Sequence, residues 1–264
     1  MSTSSLLEAV RDAAVIAFSL AWTLVCSALA IVAHTLTLGY GDVTTWLGRT
    51  VWAPPLLAVM GVRLTVEGRD RYDGGQPWVI AANHQGVLDI PIIFLVFPDL
   101  RIRFIAKQEL FWIPVFGWYL WLAGHISVAR GNLRKAIRSI DLAGQRIRRH
   151  NSSIIVFPEG TRTEDGHIGR FKKGAFVLAL KTGVPIVPVA IAGSFGAASK
   201  NRWHVEPGEI RVRILEPIVT DDLEYADRNA LVARTQDAID AEVDALRSEY
   251  DLASEAAAMA RETG

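Results

Sequence analysis

The hydrophobic pattern of the chain changes near residue 61. Before that point, residues 13–41 contain no Asp, Glu, Lys or Arg, and a helix that spans a bilayer needs about 20 such apolar positions. Residues 44–60 are apolar but for Arg49 and contain Pro54-Pro55, so they predict a second membrane-associated helix that is broken at the prolines. The first sixty residues therefore predict contact with lipid.

Three interpretations of residues 13–41 compete: a cleaved signal peptide, a spanning helix, and a hairpin that enters one leaflet. Residues 28–30, Ala-Leu-Ala, are similar to a signal-peptidase site. The leader, however, contains Glu8, Arg11 and Asp12 in place of a basic cluster, and the apolar run continues to Leu38. These features disfavour a signal peptide. The spanning helix and the hairpin both stay open.

After residue 61, short β-rich runs alternate with stretches of helical period. Strands are predicted at residues 63–68, 78–82, 101–106, 125–129, 153–157, 185–192 and 209–215, and helices at residues 133–150 and 173–182. This alternation predicts an α/β sandwich. Residues 221–263 have apolar positions at helical spacing and predict one or two surface helices, with a disordered end left open.

We therefore expect three parts: membrane-associated helices in residues 1–60, a catalytic domain in residues 61–220, and acidic, Ala-rich helices in residues 221–264. The division follows the change in hydrophobic pattern at one end and the acidic composition at the other. The boundaries are predictions from composition alone.

The charge distribution qualifies this division. The chain carries 28 basic and 28 acidic residues, and this neutrality gives no reason to expect a nucleic-acid partner. From residue 221 onward, 12 acidic residues face 4 basic ones, which leaves an excess of 8 positive charges in residues 1–220. A basic body suits anionic phosphates or an anionic membrane surface, although a solvated charge pattern is an equal alternative. The single cysteine, Cys26, excludes an intramolecular disulfide.

The first candidate site directly follows a predicted strand. Residues 83–89 read Asn-His-Gln-Gly-Val-Leu-Asp. On a regular helix His84 and Asp89 would be separated by about 140°, so they can meet only if His84 lies in the turn and Asp89 in the first helical turn. There the carboxylate could orient the imidazole as a general base. Taken alone, the spacing also fits a capping turn with an incidental histidine.

Four further blocks follow in order. They are residues 107–117, 126–130, 156–163 and 184–189, and the third contains Phe-Pro-Glu-Gly-Thr-Arg. Together with Asn-His-x4-Asp, these blocks closely resemble the glycerolipid acyltransferase family over about residues 61–217. The resemblance implies an α/β sandwich around a mixed sheet.

The resemblance to this family also implies a reaction. A fatty acyl group would pass from acyl-CoA or acyl-ACP to the sn-2 hydroxyl of 1-acylglycerol 3-phosphate, without an acyl-enzyme. His84 would be the base and Asp89 its orienting partner. The remaining candidates are expected to bind the phosphate or head group: Glu159, Gly160, Thr161, Arg162, Arg130 and Lys107. A guanidinium can grip two phosphate oxygens at once, whereas an ion pair between Glu159 and Arg162 is the structural alternative.

Two further stretches bear on partners. Residues 130–149 hold seven Lys or Arg against Asp141 alone, which suits phosphate, coenzyme A or a membrane surface, with a solvated helix face as the alternative. Residues 110–122 contain six aromatic residues, which are typical of a membrane interface but also of a buried helix. We expect a membrane-associated protein at the inner face of the cytoplasmic membrane, with a lysophospholipid acceptor and no nucleic-acid partner.

Other functions are less well supported. Residues 192–196 approach a serine hydrolase motif but lack its first glycine, and no carboxylate lies between Ser194 and His204. The histidines have no spacing typical of metal ligands, so neither a metal nor a cofactor is expected. Glycerol 3-phosphate, another lysophospholipid and a lyso-aminolipid remain alternative acceptors. A membrane lipid-binding protein without catalysis is the alternative of another class.

Overall fold

The computed structural model describes residues 3–39, 42–129, 133–197 and 206–262, with side chains in residues 6–39, 42–129, 137–197 and 206–250. Within these residues, seven strands form one sheet in the order β1-β7-β6-β2-β5-β3-β4. The strands are β1 (Val62–Glu67), β2 (Val79–Ala82), β3 (Ile102–Lys107), β4 (Ile126–Val128), β5 (Ser153–Val156), β6 (Ile186–Ala192) and β7 (Gly208–Ile214). Each predicted strand is present, and no strand end is shifted by more than one residue.

Strands β2 to β6 run parallel, and β7 turns back. Val79 of β2 is in register with Ile154 of β5 on one side and Ile186 of β6 on the other. β7 pairs antiparallel with β6 and parallel with β1, so the expected mixed sheet is confirmed. All four residues of β2 are buried, as expected for a central parallel strand that is covered on both faces.

The helices lie on both faces of the sheet. They are α1 (Thr3–Leu36), α2 (Val43–Leu47), α3 (Ala53–Val59), α4 (Asp89–Val96), α5 (Phe116–Leu122), α6 (Leu133–His150), α7 (Gly174–Thr182), α8 (Ser194–Ala197) and α9 (Arg228–Glu262), with 3₁₀ turns at Arg69–Arg71, Gln108–Trp112 and Tyr225–Asp227. The strands alternate between two cores. Ile80 packs in the core under α3 and α4, whereas Val79 and Ala81 pack with α6, α7 and α9. The predicted α/β sandwich is confirmed.

Residues 43–59 differ from the prediction at the prolines. A π turn, Gly48–Trp52, joins α2 to α3, and Pro54 lies in the first turn of α3. The predicted break is therefore wrong. The first amides of a helix have no partner within the helix, so proline is tolerated there.

The N-terminal helix packs along the domain. Val15, Cys26 and Ala30 are buried on its inner side, and the Trp52 indole N–H donates to the Thr23 hydroxyl at 3.0 Å. On its outer side, large apolar residues are exposed: Leu20, Leu24, Val25, Leu29, Val32 and Leu36. The stretch Leu6–Leu36 is long and apolar enough to cross a bilayer, and 17% of its most apolar window is buried.

The tail forms a single long helix, α9. Leu231, Ile239, Val243 and Leu246 are buried at helical spacing and join the core that contains α6 and α7, as the apolar pattern predicts. The backbone is helical through Glu262, where the sequence left a disordered end open. The boundaries proposed at residues 60 and 220 stay predictions.

Candidate active site

The candidate residues that the structure describes lie at one edge of the sheet. Strands β2 to β6 are parallel, so they all end at the same edge. β2 leads into His84, β5 leads into residues 157–162, and β3 ends at Lys107. In open α/β sheets the ends of the parallel strands are the usual place for a ligand. The edge therefore gathers these residues from separate parts of the chain.

His84 and Asp89 form a direct pair. The Nδ1 atom of His84 lies 2.7 Å from Oδ2 of Asp89, with His84 in the turn after β2 and Asp89 as the first residue of α4. This is the arrangement that the spacing required. Nε2 of His84 makes no hydrogen bond within the part of the chain that the structure describes, and the side chain is 15% exposed. One ring nitrogen is held by the carboxylate, and the other is left available to a ligand.

The carboxylate of Asp89 is buried and firmly held. Its Oδ2 atom also accepts hydrogen bonds from the main-chain amides of Gln85 at 2.7 Å and Gly86 at 2.9 Å. The residue is fully buried and begins a helix, where the helix dipole favours negative charge. These donors stabilise the ionised carboxylate that can hold a proton on Nδ1 of His84.

Two neighbours fix the position of the histidine. The ring of His84 stacks on Phe157, with centroids 4.0 Å apart and planes within 17°. The side chain of Asn83 donates to the carbonyl of Ile191 and accepts from its amide, both at 2.8 Å. Asn83 thus extends the pairing of β2 with β6 by one residue, so His84 leaves the sheet from a rigid position.

Glu159 braces the histidine loop from the next strand. Its Oε1 atom accepts from the main-chain amide of His84 at 2.6 Å, and Oε2 accepts from that of Gly169 at 2.8 Å. The residue is 6% exposed, and burial raises the pKa of its carboxyl, against the effect of the two amide donors. Within the described residues, Glu159 forms no ion pair with Arg162, so the alternative turn pair is absent there.

Residues 160–162 line the open side of this loop. Gly160 has a φ of 72°, and the ammonium nitrogen of Lys172 lies 2.4 Å from the position that a Cβ would take. Glycine therefore suits both the backbone conformation and the close approach of a neighbour. Thr161 is exposed and Arg162 is partly exposed. Neither side chain makes a hydrogen bond or ion pair among the residues described, so the Arg162 guanidinium can bind a ligand.

The other two candidates are less defined. Lys107 lies at the end of β3, and its ammonium is 3.5 Å from the carboxylate of Glu109, with both side chains about half exposed. Arg130 lies outside the described residues, as do Gly131 and Asn132. A role in phosphate binding stays a prediction for both cations.

The loop 163–169 closes over the histidine turn. The amide of Thr163 donates to the carbonyl of His84 at 3.0 Å, and the side chain of Gln85 donates to the carbonyl of Gly166 at 3.4 Å. Arg247 of α9 donates to the same carbonyl. The tail helix is therefore connected to the candidate site through one main-chain oxygen.

An apolar cleft is bordered by α4, the helix that Asp89 begins. Ile90, the residue after Asp89, lines it, and so do Cys26 and Ala30 of α1. Its other walls include Trp52, Phe94, Phe104, Leu110, Phe116, Tyr119 and Leu120. Two of the six aromatic residues between 110 and 122 therefore face this cleft, while Trp112, Trp118 and Trp121 are exposed. The stretch is therefore neither wholly buried nor wholly exposed, and its contact with a membrane stays a prediction.

The described residues include no group of three His, Cys, Asp or Glu side chains that could hold a metal ion. A histidine oriented by a buried carboxylate can act as a general base, a guanidinium without a partner among the described residues can bind an anion, and an apolar cleft can hold an alkyl chain. These features together are typical of an enzyme that acts on a lipid.

Comparison with known proteins agrees with this class. Residues 63–192 match the family model described as Acyltransferase, so this part of the chain is similar to that family. The chain is 37% identical over 185 residues to the 1-acyl-sn-glycerol-3-phosphate acyltransferase of Cocos nucifera, covering 70% of this chain and 56% of the relative. It is also 37% identical over 172 residues to the alpha form from Mus musculus, covering 65% and 60% of the two chains.

A solved structure supports the fold. The crystal structure of the 1-acyl-sn-glycerophosphate acyltransferase PlsC from Thermotoga maritima superposes with a TM-score of 0.77, covering 92% of this chain and 97% of that one, at 24% identity. The chain spans about 56 to 60% of the length of the two curated relatives named above.

Several contacts of the site could not be read from the sequence. Asn83 pairs with a residue 108 positions away and Glu159 with one 75 positions away. Phe157 could have been noted because it directly precedes Pro158 in the third block. Lys172 carries no signal beyond its basic neighbours, Arg170 and Lys173.

Proposed function

We propose that this protein transfers a fatty acyl group from a thioester donor to the sn-2 hydroxyl of 1-acylglycerol 3-phosphate. The observation that carries the proposal is the His84–Asp89 pair, in which the carboxylate holds Nδ1 of His84 and Nε2 has no hydrogen-bond partner among the described residues. The curated relatives bear the name of this activity. The product would be phosphatidic acid, so the reaction belongs to phospholipid synthesis.

The proposed reaction is a direct displacement. Nε2 of His84 takes the proton of the acceptor hydroxyl while its oxygen attacks the thioester carbonyl. The new C–O ester bond forms, the C–S bond breaks, and the thiolate leaves with the proton from His84. Asp89 stays ionised and keeps the proton on Nδ1. Base catalysis of this kind contributes about 10²- to 10⁴-fold in rate, and the reaction needs no cofactor besides its thioester co-substrate.

The acceptor phosphate is proposed to bind over residues 160–162. Arg162 offers a guanidinium that can contact two phosphate oxygens, and Lys172 brings a second positive charge against Gly160. Thr161 is close enough in the chain to donate a hydroxyl. Glu159 is assigned a positioning role in place of head-group contact, because both of its oxygens are occupied by main-chain amides.

The apolar cleft is proposed to hold an acyl chain, since its lining is apolar and includes Ile90, the residue that follows Asp89 in the chain. Its walls include α1, whose other side exposes large apolar residues. A helix that packs along the domain through Val15, Cys26 and Ala30 suits a position within one leaflet better than an independent span. We therefore place the protein at the inner face of the cytoplasmic membrane, with acyl-CoA or acyl-ACP as the soluble donor.

The proposal is tested by the product. The purified full-length chain would be given one labelled acyl-CoA, or the matching acyl-ACP, with a panel of acceptors: lysophosphatidic acid, glycerol 3-phosphate, lysophosphatidylcholine and a lyso-aminolipid. Mass spectrometry is expected to find phosphatidic acid as the dominant product, with the new chain at sn-2. Faster acylation of another acceptor would overturn the proposed substrate, and acylation of none of them would overturn the proposed activity.

A further inference from the structure

A second basic group lies at the opposite edge of the sheet from His84. We call it the arginine cluster, and it comprises Arg101, Arg103, Arg146, Arg149 and His150. Helix α6 starts after β4 at the carboxyl edge and ends before β5 at the amino edge. Its 18 residues span roughly 27 Å at about 1.5 Å per residue. The end of α6 therefore lies too far from Arg162 to share its ligand.

One carboxylate serves this cluster. Arg103 donates to both oxygens of Asp42, at 3.1 and 3.0 Å, and to the hydroxyl of Thr45 at 3.0 Å. Arg101 approaches the same carboxylate at 3.7 Å. Asp42 is therefore shared between two guanidinium groups. Its main effect is to fasten the segment after α1 to the start of β3.

The guanidinium of Arg146 lies beside that of Arg103 without an anion of its own. A Cβ on Gly124 would stand 3.2 Å from Cζ of Arg146 and 3.4 Å from Nε of Arg103. Both groups thus border the same glycine. Within the described residues, neither Arg146 nor Arg149 forms a hydrogen bond or ion pair. Among the described residues, Asp42 is thus the carboxylate that pairs with this group of four guanidinium groups and a histidine.

Burial and mutual repulsion both disfavour the charged forms of the side chains in the arginine cluster. Burial, and then the neighbouring Arg103, lower the pKa of Arg146. Burial and the positive charges of Arg146, Arg101, Arg103 and Arg149 likewise lower the pKa of His150. A partly desolvated positive group is stabilised by a nearby anion. A phosphate oxygen pair is the anion that matches a guanidinium best.

The surroundings of the cluster indicate whether it binds the phosphate of a lipid or a soluble phosphate. Leu36 and Leu38 are 79% and 82% exposed shortly before Asp42, and Trp121 is 75% exposed shortly before Gly124. Exposed leucines and a tryptophan that lie close in the chain to residues bordering a group of cations are typical of a surface that meets a bilayer at its head groups. A soluble phosphate would gain nothing from these apolar neighbours.

We propose that the arginine cluster binds the phosphate head group of an anionic membrane phospholipid, at a site separate from the candidate active site. The lipid chains would lie along Leu36, Leu38 and Trp121, and the head group between Arg146 and Arg103. This contact lies near the end of α1 and would fix the orientation of the domain on the membrane. The cleft that Ile90 lines would then stay at a fixed depth relative to the bilayer surface.

The test is a lipid titration of the full chain in neutral detergent micelles. Dioleoyl phosphatidylglycerol is added at increasing mole fraction, and the shift in unfolding temperature gives an apparent dissociation constant. Dioleoyl phosphatidylcholine and inorganic phosphate serve as separate probes. Each cation near a lipid surface contributes enough to change binding about fivefold. Arg146→Gln is therefore expected to weaken phosphatidylglycerol binding about 5-fold, and Arg146→Gln/Arg149→Gln about 25-fold.

Charge-matched controls make the result specific. Arg228→Gln/Arg234→Gln removes the same charge from the start of α9, away from the cluster, and is expected to change binding less than about 2-fold. Arg162→Gln is also expected to keep the lipid effect, which separates this site from the acceptor site. Equal losses in the cluster and control variants would overturn the proposal. So would a stabilisation by millimolar inorganic phosphate that equals that of the lipid, because the site would then take free phosphate.

Discussion

Glu159→Gln is the change that tests most sharply how the site is held together. The carboxylate accepts hydrogen bonds from the amides of His84 at 2.6 Å and Gly169 at 2.8 Å and is 6% exposed. Glutamine has nearly the same shape, but its amide group offers one acceptor oxygen and one NH₂ donor. One of the two main-chain amides would then face a donor.

The expected cost follows from the strength of such a hydrogen bond. Hydrogen bonds to a charged group contribute about 1.5 to 3 kcal/mol when they are sheltered from water. If that energy holds the His84 turn in its reactive position, kcat falls by roughly 10- to 150-fold. The KM for lysophosphatidic acid should stay within about twofold, because Glu159 is not expected to touch the acceptor.

Steady-state kinetics with varied lysophosphatidic acid would separate the two roles. Glu216→Gln is the matched control, since Glu216 is 81% exposed and pairs only with Arg71 among the residues described, and such surface pairs contribute about 0 to 1 kcal/mol. A rise in KM with unchanged kcat would refute the positioning role and return Glu159 to the head-group site. If neither kcat nor KM changed, the hydrogen bonds of the Glu159 carboxylate would not be needed for catalysis.

Three further outcomes are expected. Arg162→Lys should lose roughly 10- to 150-fold in kcat/KM toward lysophosphatidic acid and far less toward monoacylglycerol; an equal loss on both acceptors would mean a structural role. Burial lowers the pKa of His125 to about 3, so the unfolding free energy should decrease by about 2 kcal/mol between pH 6.5 and pH 5, because only the unfolded chain takes up the proton. Urea unfolding of His125→Asn, which keeps an acceptor for the amide of Phe104, should lack this decrease, and an unchanged pH dependence would contradict the assignment. Deletion of residues 1–60 removes the partner of Arg103 and one wall of the cleft, so we expect aggregation and weaker membrane sedimentation; a soluble, fully active monomer would contradict the anchoring role.

The sequence predicts the sheet well because its strands follow simple rules. Central parallel strands such as Val79–Ala82 are short and wholly apolar. The helix α6 begins and ends at the residues that the helical spacing of its apolar positions predicts. The turn that brings His84 to Asp89 was also predictable, since their spacing permits contact only across a strand-to-helix junction. Local pattern was enough wherever neighbours in the chain are neighbours in space.

Contacts between distant segments could not be predicted in this way. Nothing near Glu159 in the chain shows that its carboxylate binds the amide of His84, and nothing near Arg103 shows its pairing with Asp42. The break predicted at Pro54-Pro55 failed because proline disrupts a helix interior but suits the first turn, and only the path of the backbone separates these cases.

The central claim is that His84 removes the proton from the acceptor hydroxyl. Its most direct test is single-turnover acyl transfer by His84→Ala, with radiolabelled acyl-CoA or acyl-ACP and excess lysophosphatidic acid, after the unfolding temperature has confirmed a folded chain. We predict a loss of at least about 10²-fold in the rate of phosphatidic acid formation, with membrane association unchanged. A rate above about a tenth of that of the unmodified protein would contradict the assignment of His84 as the base.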